Sequence, residues 1–135
     1  MLYHLSESNH EGEVFIPRVP LSTAYALNGE IVEDVDSKRV CFSTTISGAY
    51  RAIQFNSGKW LELYVHVPYR KNIKFYRPTE DEVYDCKFTN EVWVRRKVKM
   101  KCIGKIRAKY DYNICSRQFR PKVKIKWIEK YTEIR

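Results

Sequence analysis

The sequence predicts an α+β fold of mostly antiparallel β-sheets, split or sandwich-like, with one or two short helices. Five or six segments alternate apolar and polar residues with the period of two that is typical of strands. One segment instead has the helical period. The chain has 135 residues, of which 44% are hydrophobic. This length and composition suffice for one hydrophobic core, but the chain is too short for two ordinary domains. We therefore expect a single domain over residues 1–135.

The first forty residues contain few regular elements. Leu2, Tyr3 and His4 begin a short predicted strand over residues 2–6. Residues 12–22 hold two prolines on either side of Arg18, and proline restricts both its own φ and the residue before it. This stretch is predicted to be an extended loop. Residues 28–38 are acidic and polar and predict a surface loop.

The clearest compound element spans residues 39–53. Residues 39–43 form a short strand-like run. A helix from about Thr44 to Ile53 follows, because Ile46, Ala49, Tyr50 and Ile53 recur at helical spacing. Ser43, Thr44 and Thr45 are typical N-cap residues. Gly48 slightly disfavours this helix.

The second half of the chain is predicted to be mainly strand. Residues 60–67 alternate and end at a proline, and residues 77–85 form a polar connector with a helical turn. Residues 92–103 form the next predicted strand, and its alternation continues to Tyr112. Gly104 predicts a bulge or bend within this long run. The last strand lies in residues 122–131, where lysines alternate with apolar residues.

Composition argues against several classes of protein. No apolar run reaches the roughly 20 residues of a membrane span, and the N-terminus lacks the order of a signal peptide. We therefore expect a cytoplasmic protein with no membrane partner. The four cysteines form no CxxC pair, so no metal site is expected and the thiols are interpreted as reduced, with a disulfide framework as the alternative. Cys41 is assigned to the core, as are Trp60, Trp93 and Trp127.

Charge is strongly uneven along the chain. Residues 1–94 contain 10 Lys and Arg against 13 Asp and Glu, whereas residues 95–135 contain 15 against 3. This asymmetry favours a polyanionic partner such as nucleic acid. The alternative is a set of lysine-rich outer strand faces that keep the sheet soluble. The candidate nucleic-acid-binding residues are Lys97, Lys99, Lys101, Arg107, Lys109, Lys122, Lys124 and Lys126.

Three short motifs occur in a suggestive order. They are YHLS at residues 3–6, CFSTTISGAYRA at 41–52, and NEVWV at 90–94. Their order and local texture resemble the ADP-ribosyltransferase fold, in the branch with poly(ADP-ribose) polymerases, rifampin ADP-ribosyltransferases and RNA 2′-phosphotransferases. Strand 60–67, ending in proline, and the Val-rich strand after it also look like the second half of rifampin transferases. The resemblance covers roughly residues 2–107.

The resemblance implies NAD as the nucleotide, with His4 and Glu91 as the catalytic residues. His4 would bind the ribose of the adenosine half, and backbone groups of Leu5 would pair with the nicotinamide carboxamide. Glu91 would bind the nicotinamide ribose and support the developing oxocarbenium ion. The further implied cofactor-binding residues are Ser6, Arg18, Phe42, Ser43 and Tyr50.

One position departs from the family pattern. Where the family usually has a tyrosine, this chain has Cys41 or Phe42. A cysteine cannot stack on a nicotinamide ring, so Tyr50 is predicted to supply the aromatic face.

Plainer interpretations of the same residues stay open. His4 is also compatible with a surface or satisfied polar residue, and Glu91 with a strand-end carboxylate. Ser43 is first of all a helix cap, and Arg18 suits an ion pair with the acidic loop within residues 28–38.

Three functions are therefore open. The first is a small NAD-dependent ADP-ribosyltransferase that modifies a protein or nucleic acid. The second is a degenerate member of that fold that binds an NAD-like nucleotide without turnover, for instance a phage or mobile-element product acting on host factors. The third is a basic β protein that binds nucleic acid.

Overall fold

Seven strands and two short helices make up the described part of the chain, residues 1–19, 38–53, 58–83, 86–115 and 121–131 of a computed structural model. Every paired strand is antiparallel, so the α+β prediction with mainly antiparallel sheets is confirmed. The elements are β1 (His4–Ser6), β2 (Val14–Phe15), β3 (Val40–Ser43), α1 (Ile46–Arg51), β4 (Leu61–Pro68), α2 (Cys86–Thr89), β5 (Glu91–Val94), β6 (Val98–Cys115) and β7 (Pro121–Lys130).

The strands form two sheets. The main sheet has the order β1-β4-β6-β2, and β7 pairs with β6 beyond Gly104. The smaller sheet contains β3 and β5. A bridge between Tyr3 and Ser43, with N–H to carbonyl distances of 2.8 and 2.9 Å, joins the smaller sheet to β1. The two sheets therefore meet along β1 and β3.

A bulge in β6 divides the main sheet into two halves. Val65 of β4 pairs with Gly104, but its neighbour His66 pairs with Cys102, which leaves Ile103 as an extra residue in β6. Since side chains alternate between the two faces, one extra residue reverses the facing of β6 relative to β4. The bend predicted near Gly104 is thus this bulge.

The two halves of β6 contribute to different hydrophobic clusters, as the reversal of its facing requires. Beyond the bulge, Ile106 and Ala108 pack with Tyr50 of α1 in one buried cluster. Before the bulge, Val98 and Met100 pack in a different cluster with residues of β3 and β5. We call the face that α1 covers the helix side of the main sheet and the other face the far side.

Helix α1 follows its sequence prediction. Thr45 is the N-cap, and its hydroxyl accepts a hydrogen bond from the Gly48 N–H at 2.9 Å. Ala49 and Tyr50 are buried against the main sheet, with Ile46 and Ile53 packed partly against the same cluster. The apolar face of the helix therefore explains both its formation and its position.

Some predicted boundaries were wrong. The predicted strand 92–103 is two strands, because residues 95–97 separate β5 from β6. The stretch 12–22, predicted to lack regular structure, contains the two-residue strand β2. The turn predicted in 77–85 is present, since the Val83 N–H donates to the Thr79 carbonyl at 2.9 Å.

Two tryptophans predicted to be core are partly exposed. Trp93 is fully buried, but Trp60 and Trp127 are 36% and 37% exposed. Apart from Lys38, the loop predicted over 28–38 lies outside the described residues. None of the helices in the described ranges has the length and apolar character needed to cross a bilayer.

Candidate functional site

A cavity of about 760 Å³ lies where the smaller sheet meets β1 and the segment after β2. This volume is in the range that small-ligand pockets usually occupy. Six residues predicted from the sequence line it together: His4, Leu5, Arg18, Phe42, Ser43 and Glu91. These residues come from four separate parts of the sequence and meet only in the folded chain.

His4 lies on β1 and lines the cavity. Burial, together with the nearby rings of His66 and His10, lowers the pKa of His4 from 6.5 to about 4. The imidazole also hydrogen-bonds the backbone of Cys41, which partly opposes this shift. His4 is therefore neutral at physiological pH. A neutral imidazole has one nitrogen that donates and one that accepts a hydrogen bond.

Glu91 is the first residue of β5, opposite Ser43 of β3. The chain turns sharply before Glu91, where Asn90 has a left-handed φ of 53°. The Ser43 hydroxyl donates to the Thr89 carbonyl at 2.6 Å, and the Thr44 N–H donates to the Asn90 carbonyl at 3.1 Å. These contacts lock the start of β5 to the end of β3, so Glu91 is directed into the cavity by rigid backbone.

Cys41 lies between His4 and Glu91. Its side chain is exposed on the cavity wall, so its assignment to the core was wrong. Burial by the surrounding wall and the adjacent Glu91 carboxylate raise the pKa of Cys41 to about 12, although hydrogen bonding to Arg39 opposes the rise. The thiol is therefore protonated and donates to Glu91 rather than serving as a nucleophile.

Two arginines supply positive charge to the same cavity. The backbones of Arg18 and Arg39 pair with each other at 3.0 and 3.1 Å, which holds the segment after β2 against β3. The Arg39 side chain is buried, and its guanidinium lies 4.0 Å from the ring centre of Trp93. Arg18 is exposed at the cavity wall. This wall of the cavity therefore carries two guanidinium groups, the kind of group that fits phosphate oxygens.

Two predicted cofactor-binding residues do not line the cavity. Tyr50 is only 5% exposed and packs in the core with its ring 5.0 Å from that of Tyr110. It therefore cannot supply the aromatic face predicted for it. Ser6 instead lies beside the cavity, with its hydroxyl 2.9 Å from His10 Nε2. The aromatic side chains on the cavity wall are Tyr3, Phe15 and Phe42.

The folded chain also brings together a cluster of histidines that no sequence motif indicated. His10 and His66 have ring centres 6.4 and 6.0 Å from that of His4. The His10 N–H donates to His66 Nε2 at 2.9 Å, and the His10 Nδ1 contacts the Glu13 carboxylate. All three histidines of the chain belong to this cluster, so the small number of histidines in the sequence was the available indication of it. Within the described ranges, no group of three or more His, Cys, Asp or Glu residues has the geometry to hold a metal ion.

The predicted lysine stripes do not form one surface. Lys99 and Lys101 lie before the bulge at Ile103, and Lys105 and Lys109 lie after it. Because the bulge reverses the facing of β6, the first pair belongs to the helix side and the second to the far side. The candidate nucleic-acid-binding lysines therefore do not all share one face of the sheet. Lys97 lies apart from both, in the exposed link between β5 and β6.

Comparison with protein-family models, with curated protein sequences and with solved structures found no match.

Proposed function

We propose that the cavity binds an NAD-like dinucleotide and that Glu91 promotes transfer of its ADP-ribosyl group to an acceptor on a protein or nucleic acid. The observation that carries this proposal is that His4 and Glu91 both line one cavity. They lie on β1 and β5, the two strands that flank β3, and the register aligns Glu91 with Ser43 and Tyr3, so the side chains of His4 and Glu91 leave opposite faces of these strands. The resemblance to ADP-ribosyltransferases requires both residues at one cleft, which the sequence alone did not guarantee.

The state of His4 suits the proposed contact with ribose. A neutral imidazole offers one ring nitrogen as a hydrogen-bond acceptor. A ribose hydroxyl can donate to that nitrogen. The accepting nitrogen of His4 is therefore the atom proposed to contact the ribose.

The backbone of Leu5 is suitably placed for the nicotinamide carboxamide. Tyr3 makes its backbone hydrogen bonds to Ser43 on the β3 edge of β1. Backbone groups alternate along a strand, so the N–H and carbonyl of Leu5 face the same edge as those of Tyr3. Because β1 and β3 run antiparallel at this bridge, Leu5 lies opposite Cys41, and both residues line the cavity. The Leu5 groups are thus directed to the cavity wall and can pair with a carboxamide.

The proposed reaction breaks the bond between the nicotinamide nitrogen and the ribose carbon. Nicotinamide leaves with the bonding electrons, and positive charge develops on the ribose. Glu91 stabilises this charge, and the acceptor then forms the new bond and releases its proton. The carboxylate acts mainly on the transition state, so its removal should slow turnover more than it weakens binding. Tyr3 or Phe15, which are only partly buried on the cavity wall, would contact the nicotinamide ring in place of Tyr50.

The experiment measures NAD binding by calorimetry and nicotinamide release by chromatography. Glu91→Gln, which keeps size and hydrogen bonding, should retain NAD affinity within about threefold and lose at least about 100-fold in turnover. His4→Ala should weaken binding. Glu80→Gln is the matched control, since Glu80 is exposed and pairs with Lys87 outside the cavity.

Three outcomes would change the proposal. Turnover by Glu91→Gln at the parent rate would exclude Glu91 as the catalytic carboxylate. NAD binding by the parent without any turnover would favour the nucleotide-binding function, with Cys41 in place of tyrosine as its physical reason. No NAD binding at millimolar concentration would exclude both.

A further inference from the structure

The far side of the main sheet carries a concentrated positive surface beyond the bulge. Residues of β6 and β7 that face away from α1 alternate with core residues such as Ile106 and Ala108. We call this surface the basic face, and it consists of Lys105, Arg107, Lys109, Lys122, Lys124 and Lys126.

The strand register places like charges directly opposite each other. Arg107 pairs with Lys126, and Lys109 pairs with Lys124. Like charges at directly opposed positions of an antiparallel pair repel and destabilise the sheet. The repulsion reduces the stability of this part of the sheet, and an anionic partner would relieve it.

Acidic side chains neutralise only part of the basic face. Glu62 lies 3.5 Å from Lys105, and Asp111 lies 3.5 Å from Lys124. Arg107, Lys109, Lys122 and Lys126 make no ion pair with any residue that the structure describes. The surface thus keeps a net positive charge that is available to a ligand.

An aromatic side chain lies among these cations. Trp60, just before β4, is 36% exposed, and its ring centre lies 4.9 Å from Lys109 Nζ and 5.3 Å from Lys126 Nζ. Tyr64 on β4 similarly lies 5.1 Å from Lys105 Nζ. Aromatic rings interspersed with cations on a sheet are the features that bind single-stranded nucleic acid, with stacked bases and neutralised phosphates.

We propose that the basic face binds single-stranded nucleic acid. Lys109 and Lys126 contact phosphates when the strand is bound, and Trp60 stacks against a base. The cavity with Glu91 takes no part in this contact, so the proposal stands without the proposed transferase function. An acidic polypeptide would satisfy the charges but would not use Trp60 as a stacking surface.

The bulge supplies a matched control for the test. Lys109→Glu with Lys126→Glu changes the net charge by the same amount as Lys99→Glu with Lys101→Glu. The first pair lies on the basic face, and the second lies on the helix side before the bulge. If binding depended only on net charge, both double variants would bind equally weakly. If the nucleic acid binds at the basic face, only the variant with Lys109→Glu and Lys126→Glu should bind more weakly.

The assay is fluorescence anisotropy of the full chain with labelled oligo(dT) and oligo(U) of about 20 nucleotides, from about 50 to about 300 mM salt. The parent should bind with a steep salt dependence, since each phosphate contact releases counterions. The basic-face double variant should bind at least about 30-fold more weakly and with a shallower slope, and the control should change by less than about threefold. Trp60→Leu should weaken binding about tenfold with an unchanged slope.

Circular dichroism and thermal melting must show that each variant is folded before its affinity is interpreted. Equal losses in the two double variants would overturn the proposal. So would salt-independent binding, an unchanged affinity in Trp60→Leu, equal affinity for duplex DNA of the same length, or equal competition by polyglutamate. Tight single-strand binding that also survives Glu91→Gln would confirm that the two sites act separately.

Discussion

Replacing Gly48 by alanine tests how closely α1 packs against the turn that carries Glu91. A Cβ built on Gly48 would lie 2.2 Å from the Thr89 carbonyl oxygen, 2.5 Å from the Ser43 hydroxyl and 2.8 Å from the Thr45 hydroxyl. Contacts below 3.0 Å essentially never occur for a real Cβ atom. Because the nearest atom belongs to the backbone, a rotamer change cannot relieve the clash.

Three effects decide the size of the change. In an exposed helix, glycine to alanine would stabilise by about 1 kcal/mol. Forcing a carbon into a packed site costs about 1–3 kcal/mol. Separation of Ser43 from Thr89 loses a further 1 kcal/mol or so from the 2.6 Å hydrogen bond. The net expectation for Gly48→Ala is a loss of about 2 kcal/mol in the free energy of unfolding.

Guanidinium denaturation followed by circular dichroism measures this loss, and thermal melting should show a decrease of roughly 6–10 °C. Ser47→Ala is the control, because it is the neighbouring residue of the same helix and changes only helix propensity. Its stability should equal or slightly exceed that of the parent. If Gly48→Ala were as stable as the parent, the close packing of α1 against Thr89 would be refuted.

Acid, thiol chemistry and core packing give three more predictions. The pKa of His4 is about 4 in the folded chain and 6.5 in the unfolded chain, so the unfolded chain binds more protons between these values. Stability should therefore fall as the pH falls from about 6.5 to about 4, by up to about 3 kcal/mol, and denaturation midpoints at pH 7 and pH 5 should differ less in His4→Gln. With its pKa near 12, Cys41 should react slowly with iodoacetamide at pH 8 although it is exposed. Glu91→Gln should accelerate this reaction, as measured by peptide-resolved mass spectrometry. An unchanged rate would contradict the contact between the Cys41 thiol and the Glu91 carboxylate. Ile106→Ala should cost about 3 kcal/mol, because Ile106 is fully buried, whereas Ile128→Ala, at a residue 42% exposed, should cost less than about 1 kcal/mol in the same denaturation assay.

Local patterns in the sequence were sufficient for most elements. The strands over 40–43 and 61–68 and the helix over 46–51 lie within one or two residues of the predicted ranges. Each prediction depended on a period of two or on a helical repeat with a Thr cap. Burial of one apolar face requires such a repeat, so the local sequence already contains the signal.

The site was only partly predictable. The order of the motifs indicated that His4 and Glu91 share a site, and both line the cavity. The same motifs predicted that Tyr50 would line this cavity. The direction of a helical side chain depends, however, on the surface against which the helix packs. Because α1 packs on the main sheet, Tyr50 meets Tyr110 in the core instead. Likewise, Cys41 alternates with buried Val40 and Phe42 and so faces the cavity.

The sequence by itself determined the class of fold, the positions of β3, β4 and α1 to within two residues, and the uneven charge. These properties depend on neighbours along the chain. Only the tertiary structure decided which lysines share a face, because the single extra residue at Ile103 reverses one half of β6 relative to the other. It also decided that Gly48 must be small and that Cys41 lies beside Glu91, because both depend on contacts between segments far apart in sequence.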